Sequence, residues 1–392
     1  MKIALVSFGH IDVVLPLFKN LKNRDVAVDL ILCFALNRKS ESILDFTDKK
    51  INTGFLSDEK INEILLDGIK KYLSDISSVN FFIFHNLKLK SVKNFLLSLI
   101  LVKKLKSYDI IHFNGTNGVL PVLIFLLRKR KLVFTIHDIH SHSGEKTRYN
   151  FAERLNGYII KSRFPLVVQN YSDYKYLIKK YSTISEKFCF IPFGILDIYK
   201  EFKSNNTKTL SSDLLFFGRI SPYKGIEYLI GAIKKLKTEG VTLNTVIAGP
   251  GYIYFNTEDL EKFGIKLINR YIKNEELVSL IENTKVVVCP YKDATQSGVI
   301  MTAFAFNKPV VASSVGSFRE VIKDGITGFL VPPQDSDELA SKIKLVISDP
   351  VLIEQIRTNI HSVAASGEYS WEHIGREMQK LYFSFSKGIK LK

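Results

Sequence analysis

Short apolar runs alternate with longer amphipathic stretches along almost the whole chain, and this alternation limits the fold more than any other feature. Seven runs in the first half read as strands: Lys2–Phe8, Val26–Phe34, Val79–Phe84, Asp109–Phe113, Lys131–Ile136, Leu166–Gln169 and Phe188–Ile191. Five more follow a polar stretch: Asp213–Phe217, Leu243–Ala248, Ile265–Ile268, Lys285–Cys289 and Pro309–Ser313. Several, such as Leu132-Val133-Phe134 and Val286-Val287-Val288, are apolar throughout, as in parallel strands covered on both faces. Between strands, Gly225–Lys237 carries Ile226, Leu229, Ile230, Ile233 and Leu236 at helical spacing. Strand–helix–strand alternation implies right-handed crossovers and doubly wound α/β sheets. Beyond Val331 the strands are expected to stop, and Ser336–Ser348, Pro350–Ala365 and Trp371–Ser386 read as helices. In the last of these Trp371, Ile374, Met378, Leu381, Tyr382 and Phe385 form one stripe, which must pack on something.

The break in the pattern is Glu201–Ser212, a polar run rich in Ser, Thr, Asn and Lys that reads as a linker. At roughly 100–200 residues per domain, 392 residues favour two domains. The expected division is an N-terminal domain at 1–205, a C-terminal domain at 206–370 and a closing helix at 371–392. A hydrophobic share of 46% excludes a disordered chain. The 55 Lys+Arg against 39 Asp+Glu leave +16, which points to a polyanionic partner or an anionic membrane surface and says nothing of fold. Cys33, Cys189 and Cys289 are odd in number, far apart and set in or beside apolar runs, as buried thiols in a reducing compartment would be. The first residues read as a strand rather than a signal peptide. The longest apolar runs, Phe95–Val102 and Val119–Leu127, are about half of what a bilayer crossing needs, so no membrane span is expected.

Ligands of open α/β sheets bind outside the carboxyl ends of the strands, so the loops there carry the chemistry. The loop after Asp213–Phe217 holds Arg219 and Lys224 five residues apart around a Pro-containing turn that opens into a helix. Two cations beside free helix amides suit a diphosphate. The loop after Leu243–Ala248 has Gly249 and Gly251, which permit close backbone approach. After Pro290, a polar loop with Asp293, Thr295, Gln296, Ser297 and Gly298 leads into Val299 and a short apolar helix, an arrangement suited to hydroxyl and phosphate recognition. In the first half, His137, His140 and His142 leave a buried strand. Without Cys or carboxylate at ligand spacing they are not read as a metal site, and His137, nearest the sheet, is the candidate functional residue.

Taken in order, these segments resemble family 4, the group 1 retaining glycosyltransferases of the GT-B fold. The resemblance is carried by Phe217-Gly218-Arg219-Ile220-Ser221-Pro222-Tyr223-Lys224-Gly225, Ile247-Ala248-Gly249-Pro250-Gly251, Lys308-Pro309-Val310-Val311-Ala312 and Asp324-Gly325-Ile326-Thr327-Gly328-Phe329-Leu330-Val331-Pro332-Pro333. Thr135-Ile136-His137-Asp138 and Ile191-Pro192-Phe193-Gly194-Ile195 look like the family's N-terminal pieces. It implies two Rossmann-like doubly wound domains facing a central cleft, with the closing helix crossing back to the N-terminal domain. Arg219 and Lys224 would hold the diphosphate of a nucleotide-sugar donor and stabilise the leaving group, and His137 would lie near the donor sugar. Gly218, Gly249, Ser297, Gly298 and Val299 would belong to the donor site, and Gly9 and His10 to the acceptor side. Enzymes of this kind generally need no metal or other cofactor.

One departure stands out. The family usually carries two glutamates eight apart in the loop after Pro290, and here their places fall near Asp293 or Ala294 and on Thr302. Gln296 on sugar hydroxyls and Thr302 on the ribose would substitute, at a cost of about 1 kcal/mol for a neutral in place of a charged hydrogen bond. The implied reaction is transfer of a hexose-type sugar, with the α-configuration retained, to a saccharide or lipid-linked saccharide, in surface polysaccharide biosynthesis. The alternative is a non-catalytic GT-B partner in a glycan assembly complex. A cytoplasmic protein with peripheral contact on the inner face of an anionic membrane would use Lys103, Lys104, Lys106 and Arg128–Lys131, which follow the two apolar runs. No nucleic-acid partner is expected, since no basic motif rich in stacking residues accompanies the charge.

Overall fold

The computed structural model describes residues 1–24, 26–36, 43–88, 91–137, 139, 150–203, 210–294 and 298–389. They form two compact units, each built on its own sheet. Among the described residues the first unit runs to Gly194 and resumes at Trp371; the second holds Ile195–Ser370.

The strands of the first unit are β1 (Lys2–Ser7), β2 (Ala27–Ala35), β3 (Gly54–Phe55), β4 (Val79–Phe84), β5 (Ile110–Asn114), β6 (Lys131–Ile136), β7 (Leu166–Val168) and β8 (Phe188–Phe190). Its helices begin with α1 (Ile11–Lys22), α2 (Asp58–Ile64), α3 (Asp67–Leu73), α4 (Val92–Leu105), α5 (Leu120–Leu127), α6 (Asn150–Lys161) and α7 (Tyr171–Lys180). The sheet order is β3-β4-β2-β1-β5-β6-β7-β8, parallel except for the two-residue β3 at its edge. From β1 the chain winds outward through β2 to β4, then re-enters at β5 on the other side of β1. Winding therefore reverses between β1 and β5, where the sheet leaves a crevice at its carboxyl ends. One face is covered by α4, α5 and α6, whose Leu101, Leu105, Leu123, Leu127 and Ile159 pack with Val6, Phe113 and Phe134 of the strands.

The second unit contains β9 (Ser212–Phe217), β10 (Thr245–Ala248), β11 (Ile265–Ile268), β12 (Thr284–Cys289), β13 (Val310–Ser313) and β14 (Gly328–Val331). Its helices are α8 (Ile226–Thr238), α9 (Asn274–Glu282), α10 (Gly298–Ala305), α11 (Phe318–Val321), α12 (Ser336–Ser348) and α13 (Pro350–Ser366). The parallel order β11-β10-β9-β12-β13-β14 reverses between β9 and β12.

The apolar stripe of the closing helix α14 (Trp371–Ser386) finds its place in the first unit. Trp371, Ile374, Met378, Leu381 and Tyr382 are buried, and α14 lies against α1 so closely that a Cβ on Gly375 would fall 1.9 Å from the Asn20 side-chain oxygen. The Tyr382 hydroxyl lies 2.6 Å from Nδ1 of the wholly buried His112, whose Nε2 lies 2.8 Å from the Thr135 hydroxyl. Burial pushes that imidazole down to about 3, so it stays neutral and joins α14 to β5 and β6. Tyr382→Phe leaves a ring nitrogen buried without its partner and is expected to lower unfolding free energy by about 1–3 kcal/mol in urea denaturation of the full chain. A loss under about 0.5 kcal/mol would mean that water replaces the hydroxyl.

Three expectations need correction. The units divide at Gly194–Ile195, ahead of the polar run at 201–212 and of the 205/206 boundary. The reason is that Ile195, Leu196, Ile198, Tyr199 and Phe202 are buried, and the Ile195 and Leu196 amides donate to the carbonyls of Tyr369 and Met301, all within the second unit. The strands do stop at Val331, but the last of them was not among those read from sequence: Gly328–Val331 pairs with β13 as an edge strand, hidden between Gly and Pro. Of the three free cysteines, Cys33 and Cys289 are buried while Cys189 is half-buried. Among the described residues no helix is long and apolar enough to cross a membrane.

Candidate functional site

Each winding reversal gathers polar groups at the carboxyl ends of its sheet. In the second unit the loop leaving β9 turns at Gly218, whose φ is 114° and whose amide donates to the Ala248 carbonyl at 3.0 Å. The next loop presses directly on it: a Cβ on Gly249 would fall 1.9 Å from the Gly218 carbonyl oxygen. Gly225, left-handed at φ 64°, ends the short turn Pro222–Lys224 and admits the loop after β12, since a Cβ there would lie 2.0 Å from the Pro290 oxygen. Val299, at the start of α10, comes within 3.4 Å of where a Gly218 Cβ would be. The loops after β9, β10 and β12 thus meet at one place, as does the start of α10, and glycine is what lets the backbones close.

Lys224 sits in this junction and is buried, with its Nζ 3.8 Å from the centre of the Tyr291 ring and 5.0 Å from that of Tyr223. Burial holds its amine down at about 8; the Cys289 thiol, itself pushed up to about 12 by burial, works slightly the other way, and Arg219 adds to the lowering. Arg219 is exposed. A buried, desolvated lysine behind an exposed arginine is a cation pair with one member preformed in low dielectric, where an anion is held more strongly than in water. Gly298 is exposed and Val299 half-buried at the head of α10. Thr302 is buried and donates its hydroxyl proton to the Gly298 carbonyl at 2.7 Å, so it retains only acceptor capacity. Gln296 and Ser297 lie outside the described residues.

In the first unit His137 follows β6, Asn114 ends β5 and Ser7 ends β1, so three strand ends converge at the reversal. The Asn114 amide nitrogen donates to the Ser7 hydroxyl at 3.0 Å, and that hydroxyl donates to the Gly9 carbonyl at 2.6 Å. The Asn114 oxygen is therefore left to accept from Nε2–H of His137 at 3.1 Å. An amide oxygen only accepts, so the proton of this pair sits on Nε2, and Nδ1 is buried from solvent. Burial pushes the His137 imidazole well below its ordinary range, helped by His10, while Gln169 opposes the shift. His10, exposed and left-handed at φ 51°, caps α1 and stacks on His137 with ring centres 3.7 Å apart. His10 thus lies beside His137, while Gly9 contacts Ser7 through its carbonyl. His140 and His142 lie outside the described residues.

Asn114, Ser7 and Gln169 escaped the sequence reading. Their signal was a polar residue at the carboxyl end of a largely apolar run, at β1, β5 and β7. Tyr291 was likewise read as loop, although its ring is what covers the Lys224 amine.

Residues 211–349 match the family model described as glycosyl transferases group 1. That segment belongs to the group 1 glycosyl transferases. Relatives of this chain include the alpha-D-kanosaminyltransferase of Streptomyces kanamyceticus, 31% identical over 43% of this chain and 45% of that protein. Another is the phosphatidyl-myo-inositol mannosyltransferase of Mycolicibacterium smegmatis, 27% identical over 45% of this chain and 47% of that protein. The chain thus spans about half the length of these curated relatives. Anabaena HepE, solved in complex with UDP, aligns over 98% of this chain and 100% of its own at TM-score 0.64 and 19% identity. That likeness shows the fold, GT-B, built from two doubly wound parallel-sheet domains.

Proposed function

We propose that the chain is a retaining family 4 glycosyltransferase that moves a hexose-type sugar from a nucleoside-diphosphate sugar to a saccharide or lipid-linked saccharide. The observation that carries this reading is the buried Lys224 beside exposed Arg219, placed where the loops after β9, β10 and β12 meet. As the bond from the anomeric carbon to the diphosphate breaks and the acceptor oxygen bonds to that carbon, charge grows on the diphosphate. Two preorganised cations oppose that growth, and the reading asks for no metal or other cofactor. The donor is also met by Gly218, Gly249, Gln296, Ser297, Gly298, Val299 and Thr302. His137, kept neutral by burial, is the first unit's candidate for a contact with the donor sugar, with Gly9 and His10 on the acceptor side.

The test is a thermal-shift series with UDP, GDP and ADP and their sugars. One nucleotide at 100 times its Kd is expected to stabilise the chain by about 2.7 kcal/mol, and to do so selectively. No stabilisation by any of the three would sink the donor reading. The missing glutamates and the buried Thr302 favour a second reading, a non-catalytic partner in a glycan assembly complex. Turnover of a nucleotide sugar that Arg219→Ala abolishes would remove it.

A role in surface polysaccharide biosynthesis, in the cytoplasm and peripheral to an anionic membrane, accommodates the +16 balance. The outer side of α4 supports it, with Phe95, Leu96, Leu99 and Ile100 all exposed just ahead of Lys103, Lys104 and Lys106.

A further inference from the structure

A groove of about 1030 Å³ lies between α5 and α6, on the outer side of the helix layer of the first unit. Ile124, Leu155 and Phe164 form its buried floor, and Phe125, Phe151 and Tyr158 stand exposed along it. The charged residues that line it are all basic: Arg128, Lys129, Arg154, Lys161 and Arg163. Among the described residues no carboxylate lines it and none of these five is ion-paired. Arg163 donates to the Arg128 carbonyl at 2.7 Å and Arg128 to the Phe125 carbonyl at 2.9 Å, so the carboxyl ends of the two helices meet. Arg128, Lys129, Lys161 and Arg163 therefore cluster at one end of an apolar trough.

A single cation satisfies the dipole at a helix C-terminus. Four around an opening flanked by exposed aromatic rings make instead the complement of an amphiphile with an anionic head. The neighbouring α4 adds an exposed apolar face of its own. Direction decides what kind of amphiphile fits. Helices α5 and α6 lead into β6 and β7, so the cationic end lies at the amino edge of the sheet, opposite Asn114 and His137. A lipid seated with its phosphate there would hold a sugar away from the strand ends, which suits an anchor and not an acceptor.

We propose that this groove binds one anionic phospholipid, its acyl chain between α5 and α6 and its phosphate among Arg128, Lys129, Lys161 and Arg163. The proposal rests on the membrane-contact reading above and gives that contact a lipid-specific site. Calorimetric titration of the full chain with dihexanoyl phosphatidylglycerol, below its micelle concentration, tests it. Binding is expected, at least tenfold tighter than for dihexanoyl phosphatidylcholine or for glycerol 3-phosphate. The pairs Lys129→Glu with Lys161→Glu, and Phe125→Asp with Tyr158→Asp, alter exposed side chains and are each expected to weaken it at least tenfold with the melting temperature kept. Leu96→Asp with Ile100→Asp on α4 should leave it unchanged. Equal binding of the choline lipid or of glycerol 3-phosphate, or undiminished binding by either groove pair, would overturn the site. Vesicle pelleting separates the two readings: anionic vesicles bound without monomeric lipid binding leave membrane contact standing and the groove refuted.

Discussion

Replacing Lys224 with alanine is expected to lower sugar transfer about 10²- to 10³-fold, the scale of removing one preorganised group from a developing oxyanion. The melting temperature should hold or rise. The amine is desolvated and carries its charge at a cost, since burial has already brought it from 10.5 to about 8. A cation depressed in the folded state destabilises that state below its folded value, and the penalty fades as pH rises from 8 towards 10.5. Bound diphosphate reverses the preference by favouring the ammonium. Nucleoside diphosphate binding must then take up a proton above pH 8, and affinity is expected to fall about tenfold per pH unit there. Lys224→Ala should bind weakly and lose that pH slope, whereas Arg219→Ala should bind weakly and keep it. Transfer reduced less than about tenfold in Lys224→Ala, or an affinity flat between pH 8 and 9 in the unmodified chain, would show that the buried amine does not meet the phosphate.

The pair of cations was legible in sequence because a strand, a Pro-containing turn and a helix frame them at fixed spacing. What the spacing did not reveal is that they differ: Lys224 is buried against Tyr291, 67 residues on, while Arg219 is exposed. Such inequality comes from tertiary packing of loops that are separate in the chain. The parallel sheets were legible for a similar reason, because apolar runs such as Val286-Val287-Val288 have no solvent face to disguise them. Edge strands lack that signature, which is why Gly54–Phe55 and Gly328–Val331 were not among the strands read from sequence. The unit boundary was misplaced because polarity marks exposure, not connection. The apolar turn Asp197–Phe202 ahead of the polar run buries Ile198, Tyr199 and Phe202. His137 was singled out by its place after a strand. Its tautomer depends on Asn114 and Ser7, which no local pattern ties to it.

Gly225→Ala is expected to cost at least about 2 kcal/mol of stability in the second unit and to abolish nucleotide binding. Two independent penalties combine there. The left-handed backbone at φ 64° strains any residue with a Cβ, by about 1–2 kcal/mol. The added carbon would also lie 2.0 Å from the Pro290 carbonyl oxygen, a backbone atom that cannot rotate away. Relief requires the loop after β12 to part from the loop after β9, which separates the start of α10 from Lys224. Gly157→Ala is the matched control. It lies within α6, and a Cβ there meets nothing within 4 Å, so alanine should stabilise the helix by about 0.5–1 kcal/mol. Hydrogen exchange read peptide by peptide distinguishes the causes. If the junction is what glycine protects, Gly225→Ala should raise exchange across residues 218–225 and 289–294 and leave the first unit unchanged. Unaltered exchange with intact nucleotide binding would mean that the loops can part without loss, and that their close approach is not what holds the donor site together.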